Sequence, residues 1–66
     1  MIDANALKAE WVKKGLCQQE VADMIGVTPK TLSLKLRSGD FRLKEVETLI
    51  NELEIKNPMD VFFKSA

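Results

Sequence analysis

The 66-residue sequence predicts a small all-α domain, and two observations carry that prediction. The apolar residues recur almost everywhere at the spacing of a helix, not at the alternating spacing of a strand. Gly and Pro interrupt this pattern at short intervals, which is typical of short helices joined by turns. The expected fold is a single domain over residues 1–66, a compact bundle of about five short helices.

Helix 1 is predicted over residues 4–14. Asp3 can accept hydrogen bonds from the first amides of the helix, and Gly15 provides a stop after its last turn. Leu7 and Trp11 are four residues apart and therefore share one face, so both side chains are expected in the core.

Helix 2 is predicted to open after Cys17 and to end at Gly26. Helix 3 is predicted to begin at Pro29, because Thr28 offers a capping hydroxyl and a proline at the first helical position leaves no amide unpaired. It is expected to end before residues 38–40. The apolar positions of helix 2 follow helical spacing and are Val21, Met24 and Ile25.

Three leucines of helix 3 alternate with polar residues, as they would in a half-buried strand. The start signal at Thr28 favours a helix. In a helix Leu32 and Leu36 share one face and Leu34 points nearly the opposite way, so this interpretation predicts an exposed Leu34.

Helix 4 and a final short turn complete the predicted bundle. The turn begins at Asn57 and Pro58 and carries two adjacent aromatic residues, Phe62 and Phe63. Neighbouring side chains on a short turn face different ways, so one ring is expected in the core and the other near the surface, where the pair can form a dimer contact. The apolar stripe of helix 4 is predicted to comprise Leu43, Val46, Leu49, Ile50 and Leu53.

The expected helix caps fit a second pattern in the sequence. If the caps are Asp3, Cys17, Thr28 and Arg42, an apolar residue precedes each cap and another follows at the fourth helical position, as in a hydrophobic staple. Cys17 and Arg42 are poor capping side chains, because a thiol accepts weakly and a guanidinium does not accept at all. The four apolar pairs are Ile2 with Leu7, Leu16 with Val21, Val27 with Leu32, and Phe41 with Val46.

The composition excludes several classes of function. The chain has no His and one Cys, so it builds neither a zinc site nor a His-dependent catalytic centre, and it forms no disulfide within the monomer. A chain this short buries only about 60% of the surface that its unfolded form exposes, which leaves no room for an interior substrate cavity. We therefore expect no enzymatic activity, metal, cofactor or small-molecule substrate.

The sequence also gives an expectation for location. Residues 1–8 lack a basic region followed by an apolar one, and the longest unbroken apolar run is residues 61–63. Neither a signal peptide nor a membrane span is expected. The single Cys17 agrees with a reducing compartment, so we expect a cytoplasmic protein.

The formal net charge is zero, but the charges are segregated along the chain. Residues 1–27 carry a net charge of −1 and residues 45–66 a net charge of −3. Residues 28–44 carry +4, with Asp40 as their one acid. This basic segment coincides with helix 3 and the loop after it, where phosphate neutralisation would be needed for nucleic-acid binding. Its cations are Lys30, Lys35, Arg37, Arg42 and Lys44.

Helices 2 and 3 show the features of a tight helix-turn-helix. Gly26 lets the chain turn sharply, and Ala22 has no bulk to hold helix 3 away. Residues 18–33 resemble the helix-turn-helix of the phage repressor and Cro family, also called the XRE family. The resemblance is carried by Gln18 at the start of helix 2, Ala22 at its fifth position, Gly26 and Val27 at the turn, and the apolar residues beside them.

The resemblance extends from helix 1 through helix 4, and the segments after residue 31 look like the short single-domain regulators of temperate phages and prophages. It implies a transcriptional regulator, often a repressor, whose helix 3 enters the DNA major groove, usually as a homodimer on a palindromic operator. Gln18 and Gln19 match residues that bind backbone phosphate or support a base contact. The positions that match the groove-facing side chains of the family are Thr28, Lys30, Ser33, Leu34 and Arg37.

The charge pattern adds Lys35, Arg42 and Lys44 as expected phosphate contacts. A second function class stays open, in which the same helical fold is a protein-interaction module of the antirepressor or immunity type. The two classes differ in the role of Leu34, which either lies in a DNA groove beside basic residues or centres an apolar patch for a protein partner.

Overall fold

Five α-helices make up the part of the chain that the structure, a computed structural model, describes, which is residues 2–63. No strand is present in this range, so the predicted all-α fold is confirmed. The helices are α1 (Ala4–Lys13), α2 (Gln18–Met24), α3 (Pro29–Ser38), α4 (Leu43–Glu52) and α5 (Pro58–Phe62).

The helices begin where their capping residues predict. Asp3 accepts a hydrogen bond from the amide of Ala6 at 3.1 Å, and Thr28 Oγ1 accepts one from the amide of Thr31 at 3.2 Å. Each bond satisfies one of the amides that a helix leaves unpaired in its first turn. Pro29 then occupies the first position of α3, as expected.

The two poor caps are compensated by a glutamate three residues later. Neither Cys17 nor Arg42 makes a capping bond with its own side chain. Instead the carboxylate of Glu20 accepts from the Cys17 amide at 3.0 Å, and that of Glu45 accepts from the Arg42 amide at 2.9 Å. This is the reciprocal half of a capping box, so both helices keep a defined first turn.

The turn between α2 and α3 is closed by two backbone hydrogen bonds. The amide of Val27 donates to the carbonyl of Ala22 at 3.0 Å, and that of Gly26 donates to Asp23 at 3.2 Å. Gly26 has φ +72°, in the left-handed region. Helices commonly end with one residue in this conformation, which glycine adopts without strain. The helix therefore stops within one residue, and α3 can pack back against α2.

The core lies where the five helices meet. In the described range α1 packs against α5, and α2 packs against both α3 and α4. The amide of Asp3 donates to the carbonyl of Val61 at 2.8 Å and so ties the start of α1 to α5. The buried apolar residues are Leu7, Trp11, Val21, Ala22, Leu32, Leu36, Val46, Leu49, Leu53, Ile55, Val61 and Phe62.

Several burial predictions are confirmed. Trp11 lies in the core, and Leu34 is 53% exposed while Leu32 and Leu36 are buried. The residues that precede the four caps, Ile2, Leu16, Val27 and Phe41, are half-buried and pack against the core.

The predicted apolar stripe of α4 is wrong at its first residue. Leu43 is 71% exposed, although it shares an angular position with Val46 and Ile50. Leu43 is the first residue of α4, and helical side chains tilt toward the N-terminus, which for this residue is away from the body of its own helix. The two phenylalanines divide as expected, with Phe62 in the core and Phe63 55% exposed.

We predict that Cys17→Thr stabilises the protein. A hydroxyl at the cap of α2 accepts more strongly than a thiol, which is worth about 0.5–1 kcal/mol, and residue 17 is exposed, so the new methyl group meets no core atoms. The melting temperature should rise by about 4 °C in a thermal unfolding experiment followed by circular dichroism. Thr28→Ala, which removes a formed cap, should lower it by a similar amount. A fall with Cys17→Thr would show that residue 17 does not cap α2.

Candidate nucleic-acid interface

One face of α3 points away from the core. Lys30, Ser33, Leu34 and Arg37 occur at i, i+3, i+4 and i+7 and are all exposed, whereas Leu32 and Leu36 on the opposite side are buried. We call these four residues the α3 stripe. Because the buried leucines fix the rotation of the helix about its axis, the stripe is held outward.

Thr28, the fifth predicted base contact, is exposed at the N-terminal end of the stripe. Its hydroxyl caps α3 by accepting from the amide of Thr31, and it also donates to Thr31 Oγ1 at 3.0 Å. Thr28 therefore stabilises the first turn of α3. It also presents a methyl group and a hydroxyl oxygen at the start of this helix.

Gln18, predicted to bind phosphate or support a base contact, connects α2 to α3. Its Nε2 donates to the carbonyl of Pro29 at 3.0 Å and to Ser33 Oγ at 2.6 Å. Ser33 Oγ accepts this bond and keeps its own proton for another partner. The amide of Gln18 thus orients one side chain of the α3 stripe. Gln19 instead donates to Asp23 Oδ1 on its own helix at 3.1 Å.

Lys35, predicted to bind phosphate, lies on the flank of α3 and is engaged within the protein. Its Nζ donates to Glu45 Oε1 at 3.0 Å and lies 5.9 Å from the centre of the Phe41 ring. The side chains of Lys35 and Glu45 are only 17% and 12% exposed, so solvent screens this ion pair weakly. The pair joins the last turn of α3 to the first turn of α4.

The other predicted cations are free of such partners. Within residues 2–63, Lys30, Arg37, Arg42 and Lys44 are exposed and form no ion pair. Arg42 and Lys44 open α4, which the Lys35–Glu45 pair holds beside the end of α3. The ion pair therefore keeps the start of α4, with these two unpaired cations, near the last turn of α3.

The carboxylate of Glu45 has a lowered pKa. Burial, the largest single influence, raises it, but the hydrogen bond from the Arg42 amide, the hydrogen bond from Lys35 and the charges of Lys35 and Arg42 together outweigh burial. The net result is a pKa below the ordinary value of 4.5. Glu45 therefore stays ionised among the cations of the basic segment.

Sequence reasoning missed Glu45 and found the cations around it. The available signal was local, because Glu45 is the third helical residue after a cap that cannot accept a hydrogen bond, a position from which a glutamate reaches the cap amide. Its ion pair with Lys35 depends on how the fold places the first turn of α4 relative to the last turn of α3. No spacing rule along the chain predicts that contact.

Other kinds of site find no support within residues 2–63. This range has no group of three or more residues that could ligate a metal ion, and no helix in it is both long and apolar enough to cross a membrane. Comparisons with protein-family models, with curated proteins and with solved structures found no match for this chain.

We predict that the ion pair of Glu45 stabilises the fold in a pH-dependent way. Because folding lowers the pKa of this carboxyl, its contribution is complete above the ordinary value of 4.5 and is lost as the pH falls through the lowered, folded value. At about pH 6 the protein should melt about 4 °C above Glu45→Gln, and at about pH 3 the difference should shrink toward zero.

The matched control for this measurement is Glu47→Gln, which removes a carboxylate that makes no ion pair in the described range. It should melt close to the unaltered protein at both pH values. A gap between the protein and Glu45→Gln that stays constant with pH would contradict the prediction.

Proposed function

We propose that the protein is a sequence-specific DNA-binding transcriptional regulator, in which α2 and α3 act as a helix-turn-helix and α3 enters the major groove of an operator. The observation that carries the proposal is the α3 stripe, in which two cations, a serine and one leucine are held outward on a helix whose opposite face is buried. The likeness to the phage repressor and Cro family in residues 18–33 supports the same function. An exposed, unpaired Cys17 agrees with work in the cytoplasm.

The chemistry of the stripe suits base edges. The major groove of B-form DNA is about 12 Å wide and admits one α-helix, so a stripe along α3 can face the base pairs. Arg37 can donate two hydrogen bonds to O6 and N7 of guanine, and Lys30 can donate to the same atoms. Ser33 has a proton to donate while Gln18 holds its oxygen, and Leu34 can contact the methyl group of thymine.

Phosphate contacts are assigned to residues around the stripe. Arg42 and Lys44 have no ion pair in the described range and lie beside the end of α3, where the sugar-phosphate backbone would flank an inserted helix. Gln19 is exposed at the start of α2 and is assigned to phosphate, whereas Thr28, exposed at the start of α3, is assigned to a base edge. Gln18 acts on DNA mainly by orienting Ser33.

The alternative function, a protein-interaction module, rests on exposed Leu34. On α3 its neighbours along the exposed face are Lys30, Ser33 and Arg37, so on this helix Leu34 does not centre an apolar patch. An isolated leucine between cations suits a groove lined by phosphates better than the apolar centre of a protein interface. This context favours the DNA-binding function.

We propose further that the protein binds as a homodimer through α5. Phe62 fills the monomer core, so the contact falls on Phe63 and on Met59, which precedes it by four residues and is also exposed. Met59 lies on α5, and Phe63 is the residue that directly follows this helix. A two-fold arrangement of α5 would present two copies of α3 to a palindromic operator.

The test of DNA binding is a selection from a random pool of duplex DNA at about 0.15 M salt. We expect a palindrome whose half-sites lie about one helical turn apart. Arg37→Ala should relax the preference at one position of each half-site and cost about 1–3 kcal/mol in binding.

Lys8→Ala is the matched control for that selection, because it removes one exposed cation from α1, outside residues 18–44, which hold all the predicted DNA contacts. It should select the same sequence as the unaltered protein. If the unaltered protein enriches no sequence over the starting pool, it does not read DNA, and a protein-interaction module that binds its partner through Leu34 becomes the better-supported function.

We predict that Phe63→Asp abolishes the dimer and leaves the fold intact. The ring is more than half exposed, so its loss costs the monomer little, whereas a carboxylate on both copies would repel across a two-fold contact. Molecular mass from sedimentation should halve, and affinity for a palindromic duplex should fall at least tenfold. Val12→Asp, a change at another exposed apolar residue, should alter neither quantity. Unchanged mass and affinity in Phe63→Asp would place the dimer contact elsewhere.

A further inference from the structure

One acidic side chain lies among the cations that the proposed function assigns to phosphate. Glu45 Oε1 accepts from the ammonium of Lys35 at 3.0 Å and from the backbone amide of Arg42 at 2.9 Å. The same oxygen atom therefore accepts two hydrogen bonds from the basic segment, one from a side chain on α3 and one from a backbone amide at the start of α4.

These two donors are the kinds of group that proteins use to bind phosphate. An ammonium group and a backbone amide at a helix start both donate readily to an anionic oxygen. A carboxylate oxygen resembles a phosphate oxygen in charge and in hydrogen-bonding capacity, so an anion that holds both donors withholds them from an external phosphate.

The environment of the ion pair strengthens the competition. Both side chains are largely shielded from solvent, and the Phe41 ring lies close to the ammonium of Lys35. To bind DNA, Lys35 would have to leave this site and expose the charge of Glu45 to the phosphates. Glu45 carries a lowered pKa, so it is ionised at neutral pH and the competition persists there.

We infer that Glu45 is an internal competitor of DNA phosphate, which keeps Lys35 and the Arg42 amide out of the phosphate contacts and so limits the sequence-independent affinity of the protein. The inference rests on the proposed DNA binding and adds a regulatory role for one acidic residue in it. Lys35 then joins α3 to α4, while Arg42 and Lys44 bind the backbone through their side chains.

Counterion release makes the inference measurable. Each cation that neutralises one phosphate of duplex DNA steepens the fall of log K with log salt concentration by about 0.9. In the unaltered protein Lys35 adds nothing to this slope, so Lys35→Met should leave it unchanged. Lys44→Ala, which removes a cation without an ion pair in the described range, should make it shallower by about 0.9.

The decisive variant is Glu45→Gln, measured with a duplex of random sequence by fluorescence anisotropy over a range of salt concentrations. The glutamine oxygen still accepts from the Arg42 amide, so α4 keeps its cap, but the negative charge that holds Lys35 is gone. The salt slope should steepen by about 0.9, and the affinity should rise about fivefold at about 0.15 M salt.

Two controls separate this effect from a general change in net charge and from a change in fold. Glu47→Gln removes the same charge two residues along α4 and should leave the slope unchanged. Glu45→Gln in a Lys35→Met background should show no gain in slope, because the released cation is absent. Circular dichroism spectra of all variants report whether the helices are retained.

The possible outcomes test the competing role of Glu45 separately from DNA binding itself. A steeper slope in Glu45→Gln that disappears without Lys35 supports the inference. Equal slopes for Glu45→Gln and Glu47→Gln in a protein that does bind the duplex overturn the inference and leave the DNA-binding proposal standing. If the unaltered protein binds no duplex at about 0.05 M salt, where phosphate contacts are strong, the DNA-binding proposal and the inference both fail.

Discussion

The close approach of α2 to α3 determines which face of α3 is exposed. Ala22 is fully buried on α2, this helix ends at Met24 just before the turn at Gly26, and α3 packs on α2. That packing buries Leu32 and Leu36 and thereby fixes which side of α3 faces outward. A larger side chain at residue 22 would force the helices apart and rotate or release the α3 stripe. The packing that forms the core therefore also holds the α3 stripe in the orientation that the proposed DNA binding needs.

A second constraint acts through charge. The chain has no net charge, yet its cations concentrate in residues 28–44 and its acids in residues 45–66. A neutral protein gains little from long-range attraction to DNA, so its binding depends on the local arrangement of a few cations. Glu45 lies where the basic and acidic segments meet, and its hydrogen bonds to Lys35 and to the Arg42 amide decide which donors remain available.

Local chemistry explains why most of the fold could be predicted. Caps, prolines and glycines act within a few residues, so the four helix starts and the exposure of Leu34 follow from the sequence. Contacts between helices cannot be predicted from the sequence in this way. The bond from Gln18 to Ser33 spans 15 positions, and the pair of Lys35 with Glu45 joins two helices across a loop. The end of α4 also lacks a sequence signal, because Glu54, not glycine, adopts the left-handed conformation there with φ +52°.

The position of Leu34 connects these observations to function. A protein partner for this leucine would have to remove water from Lys30 and Arg37, one turn away on either side, and supply carboxylates to pair with both. DNA supplies both kinds of partner. Its phosphates line the groove and can pair with the two cations, and the floor of the groove carries the apolar methyl groups of thymine, which can contact the leucine. A leucine between two cations therefore has a ready complement in duplex DNA. Since Gln18 already holds Ser33, this one side chain of the stripe is oriented before binding, and less conformational entropy is lost at that position when the groove is occupied.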